Sequence, residues 1–190
     1  MSNYPYFVPA SLDDVRRLIS ERATEGLNLE FKSCSNPAAW RSLKARLSEV
    51  ASAFANTEGG VIVIGVNDEK EIATSIEPVV LQEVDRQAIE NTLIANVRPV
   101  LHGYEIKNVD CEVGTVWVVH VPKSWRAPHQ ATGGAFYARR RFRNDPMEPF
   151  EIEMVGASRQ PREREVFGGL AIQQGQLRIV LENKSDYPVY

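Results

Sequence analysis

The chain has 190 residues, 43% hydrophobic, 25% charged and 8% aromatic, with a formal net charge of -3. This composition excludes a disordered or collagen-like chain and is long enough for one ordinary domain with its own core. The acidic total argues against a uniformly basic nucleic-acid binder but leaves room for a local basic face.

The N-terminus, MSNYPYFVPASLDD, has no basic region followed by an apolar run, so no signal peptide is expected. "SLDDVRRLISER" reads as a first helix, capped by Ser11 with Asp14 three residues on. "LNLEFKS" reads as a short strand. "NPAAWRSLKARLSEVASAFANT" reads as a long helix, with Asn36 as N-cap and Pro37 at its first position. Gly59 and Gly60 then predict a tight helix-to-strand turn needing positive φ. "VIVIGV" is apolar on both faces, hence a central strand; it is too short to span a membrane. "NDEKE" reads as a turn, and "LQEVDRQAIENTLIANV" as a helix closed by Pro99. "TVWVVHVP" alternates like a strand. "KSWRAPHQATGGA" is a loop, "FYARRRFR" a strand and "EPFEIEMVGAS" a short helix.

These elements predict an α+β domain over residues 1–158, with a single mixed β-sheet flanked by helices. Residues 159–190 read as a charged linker and a strand pair around Gly175, either extra strands on the same domain or the start of a second domain cut short. Cys34 and Cys111 form neither a CxxC pair nor a disulfide framework. A cytoplasmic protein with no membrane partner is the expectation.

Three constellations bear on chemistry. Glu25 and Glu30 flank the start of the first strand, and Asp68 follows the central one. If those strands are neighbours, the carboxylates converge at one sheet edge. They then raise each other's pKa unless a cation sits between them. Mg²⁺ or Mn²⁺ takes such oxygen ligands and can activate water for phosphodiester cleavage, with Lys32 steadying a phosphate. The plainer reading leaves Glu25 in a loop, pairs Glu30 with Lys32 or a nearby Arg, and makes Asp68 a turn residue.

The second constellation is basic. From Val121 to Asn144 there is no acid, and Lys123, Arg126, Arg139, Arg140, Arg141 and Arg143 alternate with Trp125, Phe136, Tyr137 and Phe142. On one strand Arg139, Arg141 and Arg143 share a face, which suits phosphate contacts, while exposed aromatics can stack on unpaired bases. The competing reading pairs these arginines with the acid-rich stretch from Glu69 to Glu90. Third, His129 in the "APHQ" loop is a candidate phosphate contact or simply an exposed histidine. The three histidines lack metal-ligand spacing.

"EGLNLEFKS", "SEVASAFANTEGGVIVIGVND", "VPKSWRAPH" and "FYARRRFRNDPMEPFEI" together resemble the Schlafen AlbA-like domain, over roughly Leu12 to Met154. The resemblance implies a mixed sheet flanked by helices and a nucleic-acid partner. Bacterial members are described as DNA-binding or regulatory modules; some animal Schlafens are metal-dependent ribonucleases acting on tRNA and rRNA with three acids. The motif carries over onto Glu25, Glu30 and Asp68 as metal ligands, with Lys32 as the motif lysine. With the basic segment, this makes a Mg²⁺- or Mn²⁺-dependent endoribonuclease acting on structured RNA the expected function, with Lys123, Arg126, His129, Arg139, Arg141 and Arg143 on the nucleic acid. The animal nucleases carry two lobes and a Cys/His zinc site. This chain has one lobe and no such cluster, so a homodimer would be needed to restore the clamp. The alternatives are a non-catalytic DNA-binding or regulatory module and an oligomerisation or protein-interaction domain.

Overall fold

A computed structural model describes residues 5–158, 166–173 and 176–183. The chain divides into two units, Met1–Arg159 and Gln160–Tyr190. In the first, helix α1 (Leu12–Ser20) opens with a capping box: Ser11 Oγ accepts from the Asp14 N–H, and the Asp14 carboxylate accepts from the Ser11 N–H. Strand β1 (Leu29–Lys32) follows. Helix α2 (Pro37–Asn56) starts where the sequence predicts, its first free N–H groups taken by Asn36 Oδ1. Strands β2 (Gly60–Ile64), β3 (Val66–Glu69) and β4 (Ile72–Ile76), helix α3 (Arg86–Asn96) and strands β5 (Glu105–Asp110) and β6 (Thr115–Val121) come next. Hairpin β7 (Tyr137–Arg140)–β8 (Arg143–Pro146) and helix α4 (Pro149–Ala157) end the unit.

The main sheet has the order β1-β2-β6-β5. It is mixed: β1 runs parallel to β2, while β2–β6 and β6–β5 are antiparallel. Both faces are covered, as the apolar run of β2 requires. Val15 and Leu18 of α1 pack with Phe31, Val61, Val63 and Val118 on one face. Leu43, Leu47 and Phe54 of α2 and Ile89 and Leu93 of α3 pack with Ile62, Ile64 and Val119 on the other.

The α2–β2 turn explains its two glycines. Gly59 has φ +76°, and a Cβ there would lie 2.7 Å from the Lys123 backbone nitrogen. At Gly60 a Cβ would lie 2.7 Å from the Phe54 ring. The turn brings the end of α2, the start of β2 and the end of β6 together, so a side chain at either position would push them apart.

Three local expectations change. "NDEKE" is not a free turn: Asn67–Glu69 belong to β3, and the chain reverses at Lys70 and Glu71, both at positive φ. Helix α3 starts at Arg86, five residues later than the pattern suggests, because Asp85 caps it through the Ala88 N–H. "FYARRRFR" is not one strand but a hairpin turning at Arg141 and Phe142, with Arg141 at φ +53°.

In the second unit β9 (Val166–Gln173) and β10 (Gln176–Asn183) pair antiparallel. The linker expected at 159–165 and the turn at Gly175 lie outside the described residues. No described helix is long and apolar enough to cross a membrane.

Candidate functional site

β1 is an edge strand, and its register pairs Glu30 with Ile62. Paired residues point to the same face, so Glu30 and Lys32 project toward α2. There the Glu30 carboxylate meets two cations. Lys32 forms an ion pair with Oε1. Arg139 Nη1 lies 2.5 Å from Oε2, a charge contact rather than an aligned hydrogen bond. Arg139 has no exposed side-chain surface. Its Nε donates to the Gly26 carbonyl (2.8 Å), Nη2 to the Leu29 carbonyl and Nη1 to Asn144 Oδ1 (both 3.0 Å), and its guanidinium lies 5.2 Å from the Phe54 ring centre. An arginine this buried is tolerable only with a facing charge and occupied donors, and it has both.

Glu25 closes the same edge. Its Oε1 accepts from the Phe31 N–H (2.8 Å) and lies 3.9 Å from Lys32 Nζ. Burial, then the Glu30 charge, push its pKa up to about 7; the Phe31 N–H and Lys32 oppose this, and Asp68 adds to it. The three acids therefore do gather within electrostatic reach. Asp68 is exposed on β3, at a register shift between Asn67 and Asp68. The cation beside Glu25 and Glu30 is Lys32 itself. Among the described residues, no three His, Cys, Asp or Glu side chains are grouped as a ligand set for a metal ion. The donors are of the right chemistry for Mg²⁺ or Mn²⁺, but as placed they do not fit one.

The basic residues separate into two groups. Arg139 is a buried strut, not a phosphate contact, because the turn at Arg141 breaks the single-strand face that would have aligned it with Arg141 and Arg143. His129 is also corrected: it is fully buried. Its Nδ1 donates to the Pro99 carbonyl (2.6 Å), and Nε2 accepts from Ser124 Oγ (2.7 Å). A carbonyl can only accept, which fixes this tautomer.

The remaining cations lie on two exposed segments. Loop 123–126 carries Lys123, paired with Glu58 at 2.9 Å; Trp125, 54% exposed; and Arg126. The hairpin tip carries Arg141, Phe142 (39% exposed) and Arg143, whose nearest carboxylate is Asp145 at 3.7 Å. Arg140 pairs with Glu151 and, at 3.8 Å, with Asp145. Among the described residues, the carboxylates paired with Arg139, Arg140 and Arg143 are thus Glu30, Asp145 and Glu151, not the acids of residues 69–90.

Asn56, the last residue of α2, ties both segments down. Its Nδ2 donates to the carbonyls of His129 and Tyr137 (both 2.9 Å), and its Oδ1 accepts from the His129 N–H (2.6 Å). Beside it, Thr57 Oγ1 accepts from the Arg139 N–H and the Ala55 carbonyl from the Ser124 N–H. A polar residue closing the apolar run of α2 was the available sequence signal for Asn56. Nothing in sequence order said which distant carbonyls it would meet.

A family model described as Schlafen, AlbA_2 matches residues 25–148. Among solved structures, the chain is similar to the DIP2311 protein of Corynebacterium diphtheriae, at 14% identity and TM-score 0.54, over 82% of this chain and 34% of that one. It is also similar to the N-terminal domain of a RecG-related protein of Nitrosomonas europaea, at 21% identity and TM-score 0.40, over 56% of this chain and 71% of that one. The chain thus spans about a third of the length of the Corynebacterium protein.

Proposed function

This chain belongs to the Schlafen AlbA_2 family, and from that premise we propose that it is a nucleic-acid-binding domain. Its interface is the pair of exposed basic, aromatic-bearing segments, Lys123–Arg126 and Arg141–Arg143. The observation that carries this reading is their common anchor. Asn56 hydrogen-bonds the backbone of His129 and Tyr137, and the neighbouring Ala55 carbonyl accepts from the Ser124 N–H, so the backbones leading into both segments are tied to the end of α2. Guanidinium groups suit phosphate, and exposed aromatic faces suit bases. The pairs that Lys123 and Arg143 make are solvent-exposed and weak, so a phosphate can replace the carboxylate. Titration of labelled structured RNA and duplex DNA across a salt series tests it. Affinity that falls steeply with salt supports the reading; salt-insensitive or absent binding of both contradicts it. Tighter binding of RNA would settle the partner as RNA rather than DNA.

A divalent-metal endoribonuclease acting on structured RNA such as tRNA is the second reading. What favours it is that Glu25, Glu30 and Asp68 lie within electrostatic reach of one another: the Glu25 pKa is pushed up to about 7 by burial first, then by the Glu30 charge, with Asp68 adding to it. In this arrangement an ion would compete with Lys32 for Glu25 and Glu30. Cleavage of tRNA with Mn²⁺, Mg²⁺ or EDTA, beside Asp68→Ala, tests it. Asp68 is the cleaner target, because Glu30→Ala would strand Arg139. Metal-dependent cutting lost in Asp68→Ala supports a nuclease; binding without cutting returns the acids to a structural role. The clamp of the two-lobed relatives would need two copies of this chain, and the mass of the protein in solution decides that point.

A further inference from the structure

Trp125 is the most bulky exposed apolar side chain of the described residues, at 54% exposure. A single exposed hydrophobic residue ordinarily needs no explanation. This one differs in how it is held. The residues on either side of it are fixed by hydrogen bonds that end in the buried core. Ser124 N–H donates to the Ala55 carbonyl at 2.9 Å. Ser124 Oγ–H donates to the buried His129 Nε2 at 2.7 Å, and the same oxygen accepts from the Arg126 N–H at 3.1 Å. His129 is held in turn by Pro99 and Asn56. The backbone that carries the indole is therefore held on both sides, so less backbone entropy remains to be lost there when a ligand binds.

Its neighbours are set for an anion. The Arg126 guanidinium lies 5.6 Å from the indole ring centre, within cation–π range. Arg126 Nη1 donates to His102 Nε2 at 2.9 Å. A guanidinium can only donate, so this His102 nitrogen is the unprotonated one, and it fixes the arginine's direction while using one of five N–H groups. Lys123 lies two residues away, in an exposed and therefore weak pair with Glu58 at 2.9 Å that a phosphate can replace.

From this geometry we propose that Trp125 is a stacking platform for an unpaired base, with Arg126 holding the adjoining phosphate. The preferred ligand is then single-stranded or looped-out nucleic acid rather than continuous duplex, whose bases are already stacked on each other. The proposal rests on the nucleic-acid reading above and names the substrate class of that same interface.

The test compares the whole chain with Trp125→Ala and Trp125→Phe on three probes: a labelled oligouridylate, the same oligomer with abasic sites, and a blunt RNA duplex of equal length. Trp125→Ala should weaken oligouridylate binding by roughly 5- to 150-fold, the equivalent of one lost stacking contact, with the salt slope unchanged. Trp125→Phe should restore most of it. The abasic oligomer should bind the unaltered chain about as weakly as oligouridylate binds Trp125→Ala. Equal binding by Trp125→Ala and the unaltered chain, or duplex bound as tightly as the oligomer, overturns the proposal while leaving nucleic-acid binding intact. No binding of any probe by the unaltered chain overturns both. A matching thermal melt for the variants excludes unfolding as the cause of a loss.

Discussion

The guanidinium of Arg139 lies 2.5 Å from the Glu30 carboxylate, and their side chains are 0% and 6% exposed. This contact joins hairpin β7–β8 to edge strand β1 and explains an acid between Leu29 and Phe31. Glu30 is on the face covered by α2 and receives a buried arginine. Removing one partner leaves the other charge buried alone. Arg139→Met should therefore cost about 3–5 kcal/mol of unfolding free energy in urea melts. Glu30→Gln combined with Arg139→Met should recover part of that cost. Strictly additive losses would show that the pair is not coupled.

Asn56→Ala should act at a distance. It removes the hydrogen bonds that Asn56 makes to the His129 and Tyr137 backbone, at about 1–3 kcal/mol for each. Hydrogen exchange should rise in both 122–131 and 137–146, and nucleic-acid affinity should fall although Asn56 itself is buried. Faster exchange in only one segment would mean that they are anchored independently.

Glu25 gives a pH signature. Its folded pKa, about 7, is above the ordinary carboxylate value of 4.5. Between those values the folded state binds more protons than the unfolded state, so this group lowers stability as pH rises from about 4.5 to 7. Glu25→Gln keeps an acceptor for the Phe31 N–H and cannot ionise. Its stability relative to the unaltered chain should climb across that window and stay level above it, as read from urea melts at stepped pH. A difference that does not change with pH would contradict the assignment.

Much of this was legible in the sequence. Ser11 and Asn36 announce the starts of α1 and α2 because a cap needs only its own next residues. The doubly apolar "VIVIGV" places β2 at the centre of the sheet, and Gly59 has the positive φ expected of it. The parallel pairing of β1 and β2 makes the strands neighbours as the sequence reading required, but Asp68 lies exposed on β3 and reaches Glu25 only through its charge. Strand β5 was missed, since EIKNVD, an edge strand with only Ile106 and Val109 buried, has too weak an alternation. The arginine row failed for a different reason. "FYARRRFR" has strand composition, but nothing local marks Arg141 as the residue that turns at positive φ. Only the distant pull of Glu30 and Asn56 on β7 separates buried Arg139 from exposed Arg141 and Arg143.

Arg141 and Arg143 carry the central claim, that two exposed basic segments on a common anchor bind nucleic acid. The most direct measurement is the slope of log Kobs against log salt for a single-stranded oligonucleotide, compared between the unaltered chain and Arg141→Ser/Arg143→Ser. Both side chains are exposed, so stability should change by no more than about 0.5 kcal/mol. Each lost phosphate contact should flatten the slope by about 0.7, or about 1.4 for the pair, with weaker binding at every salt concentration. An unchanged slope and affinity in the double variant, or binding by the unaltered chain that ignores salt, would contradict the claim.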